Sequence, residues 1–278
     1  PVWSPILVTI PAGFLTCTNF CTLFFYLIGI TCTVFVPQDI FFFLFTLLSE
    51  ILGTVGGFGS SVFFVPLANF YFDIHTVLGL TAVFHVASNL SKIALFRKGL
   101  DKKMLLNIGL PSVVFVILGG ILSKYLDTQV LEIILGIFLV SLSLLFLIKK
   151  NLVVKPEPKE SIIGGSLSGF AAGVLGTGGA IRGITMAAFN MEKSAFIATS
   201  AFIDFGIDIT RTVVYYQNGY IHAHDMKYIP ILLVLGFVGT FIGKYLLKFI
   251  PQEKFKRFSL FLILLVGLVT VSKIWLMP

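Results

Sequence analysis

Long apolar stretches recur from one end of this sequence to the other, separated by short polar or charged segments. One core in water cannot absorb that many apolar segments, because most of the outer surface would itself be apolar. The 278 residues leave room for about seven to ten spans of roughly 20 residues each. Charged residues make up 12% of the chain, against roughly 25% in an ordinary soluble domain. The expected class is an all-α polytopic membrane protein, with the lipid bilayer as its first partner.

The formal net charge of +7 lies mainly between the apolar stretches, so it reads as loop charge that sets orientation. Nucleic acid is not an expected partner. Cys17, Cys21 and Cys32 all fall in the first apolar stretch without a metal-ligand pattern. His222 and His224 beside Asp225, two histidines and one acid on a loop, form a weak metal signal. The glycine runs lack the Gly-Lys-Ser/Thr ending of a phosphate loop, and no nucleophile elbow or HExxH helix appears. No metal, no cofactor and no enzyme activity is expected. The abundant phenylalanines read as lipid-facing bulk.

The sequence repeats at a shift of about 120 residues. Gly53-Thr-Val-Gly-Gly-Phe-Gly-Ser60 aligns with Gly173-Val-Leu-Gly-Thr-Gly-Gly-Ala180, Gly119 with Gly239, and Lys124-Tyr-Leu126 with Lys244-Tyr-Leu246. At one residue less, His85, Asn89 and Lys92 pair with Asp204, Asp208 and Arg211. Each half reads as a glycine-broken apolar pair (40–58 then 60–71; 161–176 then 180–190) followed by three longer segments. These are 74–97, 104–125 and 130–148, then 193–217, 227–249 and 256–275. The domain reading is an N-terminal span over 1–36, a first repeat over 37–148, a linker over 149–160 and a second repeat over 161–278. The first stretch is too long for a signal-peptide core and lacks a charged start, so it is expected to span.

If each broken pair enters and leaves on one side, the basic loops 97–103, 149–160 and 248–257 fall on one face, expected to be cytoplasmic. Three crossings per half then invert the second repeat relative to the first. Inverted repeats with broken helices occur in secondary transporters, whose site lies at the repeat interface near the midplane. The same parity follows if both members of each pair span fully.

Candidate site residues sit at the breaks and on two polar stripes. Gly56, Gly57, Gly59, Ser60 and Ser61, with Gly176, Thr177, Gly178 and Gly179, precede short helices whose free amides and positive dipole ends suit an anion. Close helix packing is the other use of such glycines. Arg182, in the first turn of the second short helix, either touches the ligand or pairs with Asp204 or Asp208. His85, Asn89 and Lys92 share one helix face, as do Asp204, Asp208 and Arg211. Lys92 and Arg211 lie within snorkelling reach of their helix ends. Asn89, Lys92 and Arg211 are candidate anion contacts, while His85, Asp204 and Asp208 are candidates for proton exchange. An Asp208–Arg211 pair within the helix is the alternative, and Glu50 is a further candidate for proton exchange.

These motifs resemble the TauE/SafE (sulfite exporter) family of membrane permeases. The resemblance rests on Gly53–Pro66, on Leu80-Thr81, on Ser88-Asn89 and on Phe96-Arg-Lys-Gly99, and recurs from Gly173. It implies ATP-independent movement of a small sulfur-containing anion, such as sulfite or an organosulfonate, through an integral protein of a bacterial inner (plasma) membrane. Arg182 departs from the family pattern, which has an apolar residue there, and no proline matches Pro66. The function expected is a secondary carrier using alternating access, with proton coupling. A passive anion channel and an intramembrane enzyme acting on a sulfur compound are the alternatives. Oligomeric state is not legible in the sequence.

Overall fold

The computed structural model describes residues 37–56, 59–96, 99–148, 155–189, 191–249 and 252–276. The expected N-terminal span with its cysteines, Gly57 and the first half of the linker (149–154) lie outside the described residues. Every regular element among the described residues is a helix. In chain order these are α1 (Pro37–Gly56), α2 (Ser61–Ala68), α3 (Ile74–Leu95), α4 (Lys102–Ser123) and α5 (Thr128–Ile148). There follow α6 (Pro158–Leu175), α7 (Gly179–Ala187), α8 (Lys193–Gln217), a short 3-10 helix (Ala223–Lys227), α9 (Ile229–Leu246) and α10 (Gln252–Leu276). Residues 39–278 form one compact unit.

The chain is an integral membrane protein by composition and helix length. Among the described residues, five segments are long and apolar enough to cross a bilayer: Asp39–Gly56, Ile74–Leu95, Lys102–Ser123, Thr128–Leu145 and Asp225–Leu246. Helix α8, at 25 residues, has the length, but Asp204, Asp208 and Arg211 inside it lower its hydropathy. Helices α2 and α7 are too short. At about 1.5 Å per residue, their 8 and 9 residues reach less than half of a roughly 30 Å hydrocarbon core.

Local sequence explains where these helices stop and start. Gly176 adopts φ +71° and closes α6 in the left-handed region, where L side chains are disfavoured. Gly59, at φ +84°, turns the chain immediately before α2. Asp73 caps α3 by accepting from His75 N and Thr76 N, each at 3.1 Å, and Asp101 does the same for α4. Helix α4 opens as α-helix and widens to a π-turn over Leu105–Gly109. Pro111, which cannot donate to the carbonyl four residues back, lies just beyond.

Each broken pair doubles back on itself. A Cβ on Gly53 in α1 would lie within 2.7 Å of Gly59 backbone, so the chain reverses after α1. Past α2, Tyr71 and Phe72 return to Phe42 near the start of α1, with ring centroids 5.6 and 5.2 Å away. In the second pair, Gly178 abuts Ser168, and Thr185 near the end of α7 abuts Gly164 near the start of α6.

Helix contacts also recur at matched positions. Gly119 of α4 lies against Phe170, Gly173 and Val174 of α6, and Gly239 of α9 lies against Leu47 and Glu50 of α1. Ser88 of α3 meets Gly236 of α9, while Ile207 of α8 shares a buried cluster with Val116 of α4. Small residues let these backbones approach closely. Many described phenylalanines are exposed, as lipid-facing bulk would be, but not all of them. Phe41 and Phe45 face outward, but Phe42, Phe63, Phe64 and Phe84 are buried, and Phe42 joins a ring cluster with Tyr71, Phe72 and Tyr228. Tilted and edge-on ring pairs add about 0.5–1.5 kcal/mol beyond the area they bury.

Candidate functional site

The two short helices begin beside one another in the interior. A Cβ on Gly59 would stand 3.7 Å from Gly179 Cα, so the residues aligned by the repeat are in contact. Ser61 Oγ reaches Thr177 Oγ1 at 3.3 Å across the same junction. The first amides of a helix have no partner within it. Neither Ser60 nor Gly178, the two N-cap residues, caps its helix through a side chain. Two positively polarised helix ends therefore share one buried place.

A small cavity opens there, halfway along α3 and α8. Gly59, Ser60, Ser61, His85, Asn89, Lys92, Gly176, Gly178, Gly179, Arg182, Asp204, Asp208 and Arg211 all line it, with Ala172 and Ile207. A second cavity adjoins it, sharing Gly59, Lys92 and Asp204 and extending to Phe196 and Ser200. Of the remaining expected residues, Thr177 is buried beside the first cavity, and Gly56 ends α1 outside its lining. Gly57 lies outside the described residues.

The cations are not free. Lys92 Nζ lies 2.8 Å from Glu50 Oε1. Arg182 forms a two-pronged pair with Asp204 and donates from Nε to Ser200 Oγ at 3.2 Å. Arg211 Nε lies 2.8 Å from Asp208 Oδ1, yet its N–H does not point at that oxygen and makes no hydrogen bond. Arg211 Nη1 donates instead to Gly176 O at 2.7 Å, at the left-handed end of α6. Asn89 Nδ2 donates to Asp208 Oδ2 at 2.6 Å, so residues aligned by the repeat again meet. The three cations thus face three carboxylates. Snorkelling is corrected as well: Lys92 and Arg211 are 7% and 2% exposed, because a buried carboxylate holds each of them inside. Of the paired carboxylates only the Asp204 side chain is appreciably open, at 21% exposure against 0% for Glu50 and 5% for Asp208.

Glu50 carries more of the site than one acid in an apolar run suggests. Its Oε1 accepts from Ser88 at 2.6 Å, Thr240 at 2.9 Å and Thr54 at 3.2 Å, besides Lys92. Its Oε2 accepts from Ser60 at 2.6 Å. Ser60 Oγ is also 2.8 Å from His85 Nε2, and His85 Nδ1 is 2.8 Å from Thr81 O. These donors come from four helices or helix starts, so a carboxylate there ties α1, α2, α3 and α9 together. Tyr215 was equally silent in the sequence. Its hydroxyl sits 2.7 Å from Gly173 O and 3.1 Å from Ala172 O, holding the end of α6 beside Arg211. A hint lay in the stripe itself, since Tyr215 falls one helical turn beyond Arg211.

The family profile described as Sulfite exporter TauE/SafE matches residues 41–270. That span contains both breaks, both stripes and every cavity-lining residue named above. A search of curated proteins finds no match.

Proposed function

The chain belongs to the sulfite exporter TauE/SafE family, and from that premise we propose that it is a secondary carrier. It moves a small sulfur-containing anion, such as sulfite or an organosulfonate, by alternating access. The observation that carries this reading is the meeting of two uncapped helix starts at Gly59 and Gly179, over a buried cavity lined by Lys92, Arg182 and Arg211. Water-excluded amide ends and guanidinium groups are worth far more to an anion there than at a surface. The amides at Gly59–Ser61 and Gly178–Arg182 cradle the anion. Asn89, Lys92 and Arg211, which line the cavity, supply further donors. Proton coupling runs through groups among His85, Asp204 and Asp208.

The halves act as inverted repeats, 37–148 and 161–278, joined by the linker 149–160. The contacts that support this are the doubling back of each pair and the exchange of matched partners. The starts of α1 and α3 share one end of the bundle with the end of α8, where His75 meets Tyr220 at 4.6 Å between ring centroids. The starts of α4 and α8 share the other end, where Gly99 meets Ala195. Rocking one half against the other about a fixed central site then exposes the anion to each side in turn. Loops 97–103, 149–160 and 248–257 face the cytoplasm of a bacterial inner membrane.

Purified protein in liposomes tests the reading. Loaded with unlabelled sulfite or methanesulfonate, the vesicles should take up labelled anion by counterflow, saturably. Flux that rises linearly with concentration and shows no counterflow indicates a channel and defeats the carrier reading.

A further inference from the structure

Every hydrogen bond of the Glu50–Ser60–His85 chain has a direction that its partners dictate. Thr81 O can only accept, so His85 Nδ1, 2.8 Å away, carries a proton. Glu50 as a carboxylate can only accept, so Ser60 donates to it at 2.6 Å. Ser60 has one hydroxyl proton, which leaves its oxygen to accept from His85 Nε2 at 2.8 Å. His85 then bears protons on both nitrogens and is the imidazolium. Its alternative is one concerted shift away. Nε2 gives its proton to Ser60, Ser60 passes its own to Glu50, and the chain reads carboxylic acid, hydroxyl, neutral imidazole. Both forms hold the same single extra proton. Without it, one of the three short contacts sets two lone pairs against each other.

That proton changes the charge of the site. The groups facing His85 are Glu50 on α1, Ser60 and Phe64 on α2, Lys92 on its own helix, and Asp204, Asp208 and Arg211 on α8, with Arg182 on α7 behind Asp204. The ion pairs balance, cation for carboxylate. The unprotonated chain therefore leaves the cavity neutral, and the protonated chain leaves it with one positive charge. Only the first half has this chain: the repeat places Phe170, Ala180 and Asp204 opposite Glu50, Ser60 and His85.

We propose that the Glu50–Ser60–His85 chain is the coupling site, taking up one proton with each monovalent anion so that the loaded carrier crosses without net charge. This deepens, and rests on, the anion-carrier reading. Proton and anion bind at one cavity and leave from it together, so the cycle balances at one proton per anion in either direction.

Methanesulfonate is the probe, because the anion of a strong acid brings no proton of its own. Its binding to the full-length protein in detergent is measured by calorimetry in two buffers of different ionisation heat. The expected result is uptake of close to one proton per anion bound. Affinity should fall about tenfold per pH unit above the titration of the chain. In His85→Gln and Ser60→Ala the uptake should disappear. Saturable binding without proton uptake overturns the proposal while sparing the anion carrier. Uptake unchanged in both variants assigns the proton to Asp204 or Asp208 and also overturns it. Should the variants not fold, the wild-type count and the liposome assay still decide. Accumulation must follow an imposed pH gradient and ignore an imposed potassium diffusion potential, and accumulation driven by the potential alone refutes it. No saturable binding of methanesulfonate, sulfite or sulfate removes the carrier reading itself.

Discussion

Replacing Lys92 and Glu50 singly and together measures how much of the bundle is held by one buried pair. Breaking a buried pair by removing one partner costs about 3–5 kcal/mol, because the other charge is left uncompensated. The two singles should not cost the same. After Lys92→Met, the Glu50 carboxylate keeps hydroxyl donors from Thr54, Ser60, Ser88 and Thr240, so the loss should sit near the low end, about 3 kcal/mol. After Glu50→Leu, the Lys92 ammonium keeps, among the described residues, one hydrogen bond, to Ser88 Oγ, and the hydroxyls lose their acceptor. That loss should reach about 5 kcal/mol or more. The double variant should be more stable than Glu50→Leu alone. No charge is then stranded, and the hydroxyls can turn to carbonyls of their own helices, as Thr46 does to Phe42 O. Thermal unfolding in detergent, followed by helical circular dichroism, reads these differences. At roughly 2–4 °C per kcal/mol for a chain of this size, Lys92→Met should lower Tm by about 6–12 °C. Equal losses in the two singles, or a double variant whose loss is their sum, would refute the reasoning.

Other expectations follow from single contacts. Gly176→Ala should lower stability by about 1–2 kcal/mol through its left-handed backbone, and further because a Cβ there would stand 2.7 Å from Leu78 Cδ2; Tm in detergent checks it. Arg182→Ala should abolish saturable anion flux at wild-type expression, since it removes a cavity cation and strands Asp204; unchanged flux would take Arg182 out of the site. Asp73→Ala should cost about 1 kcal/mol as a lost helix cap. Burial works against the Asp73 carboxylate, but hydrogen bonds from Thr76 and His75 outweigh it and hold the group below its ordinary value of 3.8. A depressed folded value means that its stabilisation is present above that ordinary value and lost as pH falls through the folded one. Wild type and Asp73→Ala should therefore converge in Tm at acid pH.

The helix pattern was legible because hydropathy and glycine are local signals. Gly53–Ser60 and Gly173–Ala180 mark the two breaks, and the spacing of His85, Asn89 and Lys92 places them on one face. Which partner each charge takes was not legible. Arg182 pairs with Asp204 and Arg211 with Asp208, yet the sequence allowed Arg182 either acid. Glu50 is the one charged residue between Asp39 and Asp73, and besides Lys92 its partners are common hydroxyls on segments as distant as Thr240. Nothing short of the folded contact distinguishes those from helix-facing serines and threonines. Phe42 and Phe64 were misread for a related reason. A phenylalanine in a span carries the same hydropathy whether it faces lipid or packs on Tyr228, and only the approach of neighbouring backbones decides.

Selenite, the heavier analogue of sulfite, offers the most direct view of the central claim. Anomalous scattering from crystals grown with it should give one strong peak between the starts of α2 and α7, within hydrogen-bond reach of the Ser60–Ser61 and Gly179–Ala180 amides. Peaks confined to the loops, with the junction of Gly59 and Gly179 vacant at saturating selenite, would contradict it.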